Sequence, residues 1–152
     1  MRQILSELSI RTSGQGFTNI TEALNQWIYN QKISRGILII FVKHTSCSLT
    51  INENADPKVL NDLSKYMQAL VPEEGFRPLS GAGELKNYLH SQEGPDDMPA
   101  HIRSTLTSTS ISLSIDNGIL VLGIWQAIYL WEHRVQHNSR KIHLHAIGEL
   151  AS

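Results

Sequence analysis

The chain contains one run of β-branched, aliphatic and aromatic residues without a polar interruption, Ile37–Val42, and this run constrains the fold most strongly. Such a run is typical of a β-strand that is covered on both of its faces. It is also the longest apolar stretch of the chain, and it is far too short to cross a bilayer. The chain has 152 residues, the usual size of one domain, so we expect a single domain over residues 1–152.

Strand and helix signals surround this run in an order that predicts the fold class. Apolar residues alternate with polar ones in the predicted strands and recur at helical spacing in the predicted helices. The predicted strands are 3–11, 36–43, 44–53, 110–115, 119–123, 127–133 and 141–148. The predicted helices are 18–32, one that opens at Asp56-Pro57, a short patch at 84–90, and 97–107. Asn117-Gly118 between alternating segments is a strong hairpin signal. We therefore expect an α+β domain with a mixed or antiparallel sheet packed with helices.

Charge and cysteine content exclude several classes of protein. The formal net charge is −1, and the lysines and arginines are scattered instead of forming the basic stripe of a nucleic-acid-binding protein. Cys47 is the only cysteine and cannot form an internal disulfide, which favours a reducing compartment. The first residues lack a basic segment followed by a long apolar one. We expect a cytoplasmic protein without nucleic-acid or membrane partners.

The segment that follows the apolar run is a first candidate site. If residues 44–53 form a strand, its period of two places polar side chains together on one face. They are His44, Ser46, Ser48, Thr50 and Asn52. His44 stands where the apolar run ends, which favours a cleft, although a solvent-exposed face or a subunit interface explains the pattern as well. Cys47 falls on the apolar face, and we expect it to be a buried, inert thiol.

A second candidate site lies between residues 90 and 101, where two histidines and three carboxylates are close in sequence. Asp97 is well placed to cap a helix, with a proline in its first turn. His101 then lies about one turn inside the helix, where the positive end of the helix dipole disfavours the protonated imidazole. A neutral imidazole is what a metal ligand or a proton acceptor must be. The spacing of His90 and His101 matches no standard zinc motif, so capping and loop hydrogen bonds remain an alternative.

A third candidate site lies near the predicted strand 127–133. Glu132 shares a strand face with Ile128 and Leu130, which is awkward for a carboxylate unless it is paired or lines a pocket. A strand end that meets solvent is the alternative. His143 and His145 share one face of the last strand, but two histidines on an outward face are common, and we do not expect a metal there.

Three segments, taken in order, carry a resemblance to a known family. They read HTSCSLTINENADP at 44–57, EGPDDMPAHIRSTL at 93–106 and SISLSIDNGILVLGIWQAIYLWEHR at 110–134. Together they resemble the YjbQ-like (secondary thiamine-phosphate synthase) family over roughly residues 25–150. The family's usual Gly-Thr-Trp-Gln is Gly123-Ile124-Trp125-Gln126 in this chain, which lacks the hydroxyl at position 124.

The resemblance implies an α+β subunit that assembles as a homotrimer, with clefts near the subunit boundaries. The activity that it implies joins a pyrimidine diphosphate to a thiazole phosphate and releases pyrophosphate. We expect catalytic roles for His44, His101 and Glu132, and metal ligation by His44, His90 and His101. The expected substrate-binding residues are Asn52, Glu53, Asp97, Arg103, Trp125 and Gln126.

The displacement of pyrophosphate requires charge stabilisation, normally by a divalent cation and by cationic side chains. Mg²⁺ or Zn²⁺ is therefore the expected cofactor, and a small phosphorylated molecule the expected substrate. Glu93, Asp96 and Asp97 offer oxygen ligands, while Arg103 and Arg134 offer partners for phosphate oxygens. The hypothesis is a trimeric, metal-assisted transferase or hydrolase that acts on small phosphorylated or heterocyclic molecules. The alternatives are a non-catalytic trimer that binds a metal or small ligand, and a structural trimer whose polar strand face is its interface.

Overall fold

The structure is a computed structural model of the chain that describes residues 1–79 and 83–151. It contains three helices and eight strands in this part of the chain. The strands are β1 (Arg2–Thr12), β2 (Gly16–Asn19), β3 (Ile33–Val42), β4 (Cys47–Glu53), β5 (Ser110–Asp116), β6 (Ile119–Leu120), β7 (Gln126–Glu132) and β8 (Asn138–Leu150). The helices are α1 (Thr21–Asn30), α2 (Pro57–Leu70) and α3 (Asp97–Leu106). Among these residues no helix combines the length and the apolar character that crossing a membrane requires.

The strands form two antiparallel sheets, which confirms the predicted α+β class. The larger sheet has the order β1-β8-β3-β5-β6, and the smaller one has the order β2-β7-β4. β1 and β8 come from the two ends of the chain, and β1 pairs with β8 over its whole length, from Arg2↔Gly148 to Thr12↔Asn138. The Asn117-Gly118 hairpin is confirmed, because both residues have positive φ angles (51° and 80°), as a two-residue hairpin turn requires.

One face of the larger sheet is buried and the other is open in the described chain. Leu38, Ile40 and Val42 of β3 are fully buried with Leu24 and Ile28 of α1 and with alternate residues of β8. The opposite face carries Ile37 and Phe41, whose exposed fractions are 51% and 41%. The apolar run was expected to be covered on both sides, and within one chain only one side is covered.

Two predicted helices differ from the structure. The predicted helix 18–32 begins only at Thr21, because Gly16–Asn19 pairs with β7 as a short strand. The prediction of a helical patch at 84–90 is wrong, since none of these seven described residues is helical. Lys86 instead exchanges two backbone hydrogen bonds with Phe76, at 3.0 and 2.8 Å, and this isolated bridge replaces the helical pattern.

The two helices next to the candidate sites begin in different ways. Asp56 caps α2 as predicted, since its side chain accepts a hydrogen bond from the Lys58 backbone N–H at 2.9 Å. The expectation that Asp97 caps α3 is wrong. Asp96 occupies the cap position without a side-chain cap bond, and Asp97 is the first helical residue. The side chain of Asp97 is thereby free to point away from the helix backbone.

Candidate metal centre and histidine cleft

Three side chains with metal-ligating atoms converge at the start of α3. One ligand atom from each of His90, Asp97 and His101 lies within 4.8 Å of the other two. Asp97 and His101 are four residues apart on α3, so they share one face of the helix. His90 precedes the helix and returns to it through a turn at Gly94, where the backbone has a positive φ of 118°. The imidazole rings of His90 and His101 lie 5.2 Å apart.

Asp97 is the centre of this group and is 1% exposed. Its Oδ1 accepts a hydrogen bond from Arg134 Nη1 at 2.6 Å and lies 3.3 Å from His101 Nε2. Its Oδ2 lies 2.9 Å from His90 Nε2, but this contact lacks hydrogen-bond geometry. Asp97 Oδ2 therefore has no hydrogen-bond partner among residues 1–79 and 83–151. A buried, unpartnered carboxylate oxygen is costly, and a cation beside it would remove that cost.

The backbone fixes the orientation of the His101 ring. His101 Nδ1 lies 2.9 Å from the carbonyl oxygen of Thr45, which can only accept a hydrogen bond. Nδ1 therefore donates, and in the neutral ring Nε2 has a free lone pair that faces Asp97. A ligating histidine whose second nitrogen donates to a carbonyl or carboxylate is the usual arrangement at protein metal sites.

The acidic residues expected to hold magnesium mostly bind Arg134 instead. Arg134 donates to Asp96 Oδ2 at 3.0 Å, to Asp97 Oδ1 at 2.6 Å and to the backbone oxygen of Glu93 at 2.9 Å. Asp96 also accepts the backbone N–H of Val135 at 2.9 Å. Arg134 thus fixes the position of the Asp97 carboxylate, leaving Oδ2 as its available ligand atom. Arg134 was expected to meet phosphate oxygens, and its role at Asp97 was not predicted, although its place directly after Glu132-His133 in the third motif was a signal.

His44 lies next to this centre, but among the described residues it is not one of the grouped ligands. It lines an open cleft of about 360 Å³ together with Thr45 and His101. Its Nε2 accepts the Lys141 backbone N–H at 2.7 Å, so in the neutral ring the proton is on Nδ1. Burial, reinforced by the positive charge of Arg140, holds the pKa of His44 below its usual value and favours this neutral form. The expected ligand role of His44 stays a prediction, and its Nε2 is already engaged.

Glu132 is a paired charge in the core. It is 1% exposed, and its Oε1 accepts hydrogen bonds from Thr12 at 2.6 Å and from Arg140 Nε at 2.7 Å. Its Oε2 contacts Arg140 Nη2 and accepts the backbone N–H groups of His133 and Arg134. Burial alone would raise the pKa of Glu132, but the hydrogen bonds from Arg140 and Thr12 hold it below its ordinary value. The expected role as a base stays a prediction, because both oxygens are occupied.

The polar strand face contains a buried pair that was not predicted from the sequence. Ser48 is fully buried, and its hydroxyl lies 2.9 Å from Nε2 of His133, which is 1% exposed. Burial, with the nearby charge of Arg103, lowers the pKa of His133 to about 3. The alternating pattern of β4 showed that a polar face exists, but no local signal showed that His133, 85 residues away, covers Ser48.

The remaining predicted residues lie away from the group of His90, Asp97 and His101. Asn52, Glu53 and Gln126 lie at the far end of the β4–β7 pair, where Glu53 is opposite Gln126, and the 61%-exposed Trp125 follows at the same end. A strand of seven residues rises roughly 20 Å, which separates this end from the histidines within one chain. Arg103 is buried two residues after His101, which places it roughly 200° around α3 from that ring.

The donor set suits some divalent metals better than others. Two imidazoles and one carboxylate match the N and O ligands of Zn²⁺ and of other first-row transition metals. Mg²⁺ prefers oxygen ligands and retained waters, and here two carboxylates near the group are engaged with Arg134. Of the two expected cofactors, Zn²⁺ therefore fits the residues present.

Comparisons with known proteins agree with the motifs and the fold. A family model described as UPF0047 protein YjbQ-like matches residues 6–149. The UPF0047 protein sll1880 of Synechocystis sp. is 44% identical over 149 residues, covering 98% of this chain and 95% of that protein. The UPF0047 protein YjbQ of Escherichia coli O157:H7 is 39% identical and covers 89% of this chain and 91% of its own length.

Solved structures share the fold. The crystal structure of an uncharacterized conserved protein of the YjbQ/UPF0047 family from Clostridium acetobutylicum superposes with a TM-score of 0.78 at 32% identity, covering 93% of this chain and 99% of that one. The hypothetical protein APE1520 of Aeropyrum pernix K1 has a TM-score of 0.81 at 22% identity, covering 96% and 99%, a likeness of fold alone.

Proposed function

This chain belongs to the YjbQ-like UPF0047 family, and on that premise we propose that it is an enzyme with a divalent metal centre on His90, Asp97 and His101. One observation carries the proposal. The oxygen Oδ2 of a buried aspartate has no hydrogen-bond partner among the described residues, and the carboxylate lies beside two imidazoles, one of which is held with Nε2 toward the carboxylate. Hydrogen bonds account for Asp97 Oδ1 and His101 Nδ1, whereas Oδ2 has only its 2.9 Å contact with His90 Nε2, which lacks hydrogen-bond geometry.

The accessibility of the ligands favours catalysis over a purely structural metal. The side chains of His90 and His101 are 55% and 31% exposed, so the side of the group away from Asp97 faces solvent. Structural zinc sites have four protein ligands, whereas catalytic sites have three and keep a position open. A bound divalent metal would supply Lewis acidity to an oxygen of the substrate.

The neighbouring cleft contains His44, whose Nδ1–H can donate a hydrogen bond to a bound molecule. In its neutral form, His44 has its proton on Nδ1, because Nε2 accepts the Lys141 backbone N–H. A group in this state cannot act as a base through Nε2. We assign to it the role of a donor to an oxygen or ring nitrogen of the bound molecule. His101 and His44 line the same cleft, so a ligand in the cleft lies beside the proposed centre.

The family resemblance extends the proposal to a reaction. It implies a transferase that joins a pyrimidine diphosphate to a thiazole phosphate, in which the bond from carbon to the diphosphate oxygen breaks and pyrophosphate leaves. The positive charge of the proposed metal would oppose the negative charge that develops on the leaving group. The roles of Glu132 as base and of Arg103 at a phosphate receive no support from their buried, hydrogen-bonded positions.

The proposal is tested by an assay of purified protein, loaded with Zn²⁺ or Mg²⁺, that measures pyrophosphate release from the two substrates. We expect the His101→Ala variant to lose most of the metal-dependent rate. The matched control is His137→Ala, which removes an exposed histidine outside the centre. Equal rates for wild type and the His101→Ala variant would reject the assigned centre. Metal binding without turnover would instead support the non-catalytic, metal-binding alternative.

We further propose that the working form is a homotrimer. The open face of the larger sheet supports this, because Leu5, Ile37 and Phe41 are all exposed on it. A second copy would also bring Trp125 and its neighbours toward the histidines, which one chain holds roughly 20 Å apart. Light scattering should give three times the 17.1 kDa mass of the chain. Mixing the inactive variants Trp125→Ala and His101→Ala should restore activity if two chains share each site, whereas a monomer would refute the assembly.

We propose a cytoplasmic location, supported by the state of the single cysteine. Cys47 is buried and free, and burial raises the pKa of its thiol to about 11, so it is unreactive. Cell fractionation that places the native protein in a membrane or secreted fraction would contradict this location.

A further inference from the structure

Arg103 is a buried cation without a close counter-ion. The residue is 3% exposed, and it makes no ion pair with any residue in 1–79 or 83–151. Nη2 donates to the carbonyl oxygen of Val71 at 2.7 Å, while Nε is buried and has no partner among the same residues. Glu73 and Asp96 act on its charge only from beyond ion-pair distance, and Asp96 is already engaged with Arg134. Buried arginines are rarely left in this condition.

Arg103 lines a small cavity between α2 and the second sheet. The cavity has a volume of about 50 Å³ and is also lined by Gln15, Gln68 and His133. A void needs roughly 10–15 Å³ to hold one water, so this one has room for a small ion and its nearest water but not for a sugar phosphate or a nucleotide. It lies on another side of α3 from His101 and so is separate from the proposed metal centre.

The other polar groups in the wall add no net charge and supply N–H donors. Glu132 lines the cavity too, but its carboxylate is neutralised by Arg140. His133 is uncharged at neutral pH, since its pKa is about 3. The side-chain amides of Gln15 and Gln68 each use one hydrogen, in bonds of 3.2 and 3.3 Å, and each has a second to donate. The wall therefore has one net positive charge, from Arg103, and several N–H donors.

We infer that this cavity binds a small inorganic anion of the size of chloride, held by Arg103 Nε with the amides of Gln15 and Gln68. A water molecule would accept the Nε hydrogen but would leave the guanidinium charge uncompensated. An anion would accept the Nε hydrogen and would also compensate the guanidinium charge. Its contacts would connect α2 and α3 with the β2–β7 edge. The site lies outside the proposed active site, so it would stabilise the fold without taking part in turnover.

The experiment compares thermal unfolding of the full chain in chloride and in gluconate at constant ionic strength, because gluconate is too large for the cavity. We expect a saturable rise of the midpoint in chloride, on the order of 2–8 °C. The Arg103→Met variant should lose the chloride-dependent rise. The matched control is Arg11→Met, which removes an exposed arginine and should keep it. The same midpoint in both salts, or a chloride-dependent rise that persists in Arg103→Met, would refute the inference.

A second measurement on the wild-type protein decides the matter even if Arg103→Met does not fold. Crystals soaked in bromide should show an anomalous peak within hydrogen-bond distance of Arg103 Nε. Density for water alone at that position would overturn the inference. Both measurements are independent of metal loading and of any enzymatic assay, so failure of the proposed function would leave their outcome unaffected.

Discussion

The buried His133 should make the stability of the protein fall on mild acidification. Burial, followed by the charge of Arg103, lowers the pKa of His133 from 6.5 to about 3. In the unfolded chain the ring gains a proton as the pH falls below 6.5, while the folded state cannot bind it until the pH approaches 3. The neutral ring therefore stabilises the fold above pH 6.5, and this contribution is lost as the pH falls. Between pH 8 and pH 5 the loss from this one group is about 2 kcal/mol.

The assay is urea unfolding, followed by circular dichroism at pH 8 and at pH 5, of the wild type and of His133→Gln. Glutamine can still hydrogen-bond Ser48 but cannot titrate, so the wild type should lose about 2 kcal/mol more than this variant. His137→Gln, which changes an exposed histidine, should behave like the wild type. An equal loss in the wild type and in His133→Gln would show that the folded protein accepts the proton as easily as the unfolded chain, and would refute the reasoning.

Three further changes test separate parts of the structure. Asp97→Asn should weaken zinc binding by more than about 10- to 100-fold in a chelator competition, since the loss of a ligand's hydrogen-bond partner alone costs that much, while Asp62→Asn on the exposed side of α2 should leave it unchanged. Equal affinities would remove Asp97 from the centre. Glu132→Gln should lower the free energy of unfolding by about 3–5 kcal/mol in urea, because it leaves Arg140 buried without its partner charge; a loss below about 1 kcal/mol would contradict the buried pair. Gly118→Ala should cost about 1–2 kcal/mol in urea, since alanine disfavours a φ of 80°, and an unchanged stability would contradict the hairpin geometry.

Short sequence patterns correctly predicted the elements whose structure depends only on residues close in sequence. Asp56-Pro57 opens a helix because a side-chain acceptor and a fixed φ act within one turn. Asn117-Gly118 forms a hairpin because both residues tolerate positive φ. The helical spacing at 84–90 failed for the opposite reason. Pairing of Lys86 with Phe76 was not visible in the local pattern, and tertiary pairing overrides a weak local preference.

The sequence allowed us to predict which residue types form the candidate site, but not which of the predicted residues lie together. Asp97 and His101 stand four residues apart on one helix, so their proximity follows from helical geometry. The state of His44, by contrast, depends on the backbone N–H of Lys141, which is 97 residues away. The separation of Trp125 from the histidines depends on the direction and length of the β4–β7 pair, which the sequence pattern does not specify.

The prediction for the apolar run was only partly correct, because a local pattern does not specify which residues cover a strand. Ile37–Val42 was expected to be covered on both faces, and the structure covers only the side of Leu38, Ile40 and Val42. Sequence pattern records that the opposite side chains avoid water, but it does not say whether the cover comes from the same chain. The exposed Ile37 and Phe41 are what the proposed trimer would cover.

Metal analysis of the purified protein tests whether His90, Asp97 and His101 bind a divalent metal. The full-length chain would be purified without a histidine tag, loaded with Zn²⁺, passed through a desalting column and measured by mass spectrometry. Asp97→Asn and His101→Ala would be compared with the matched variants Asp62→Asn and His137→Ala. We expect about one zinc per chain in the wild type and in the matched variants, and far less in Asp97→Asn and His101→Ala. Zinc retained equally by all five proteins, or by none of them, would contradict this expectation.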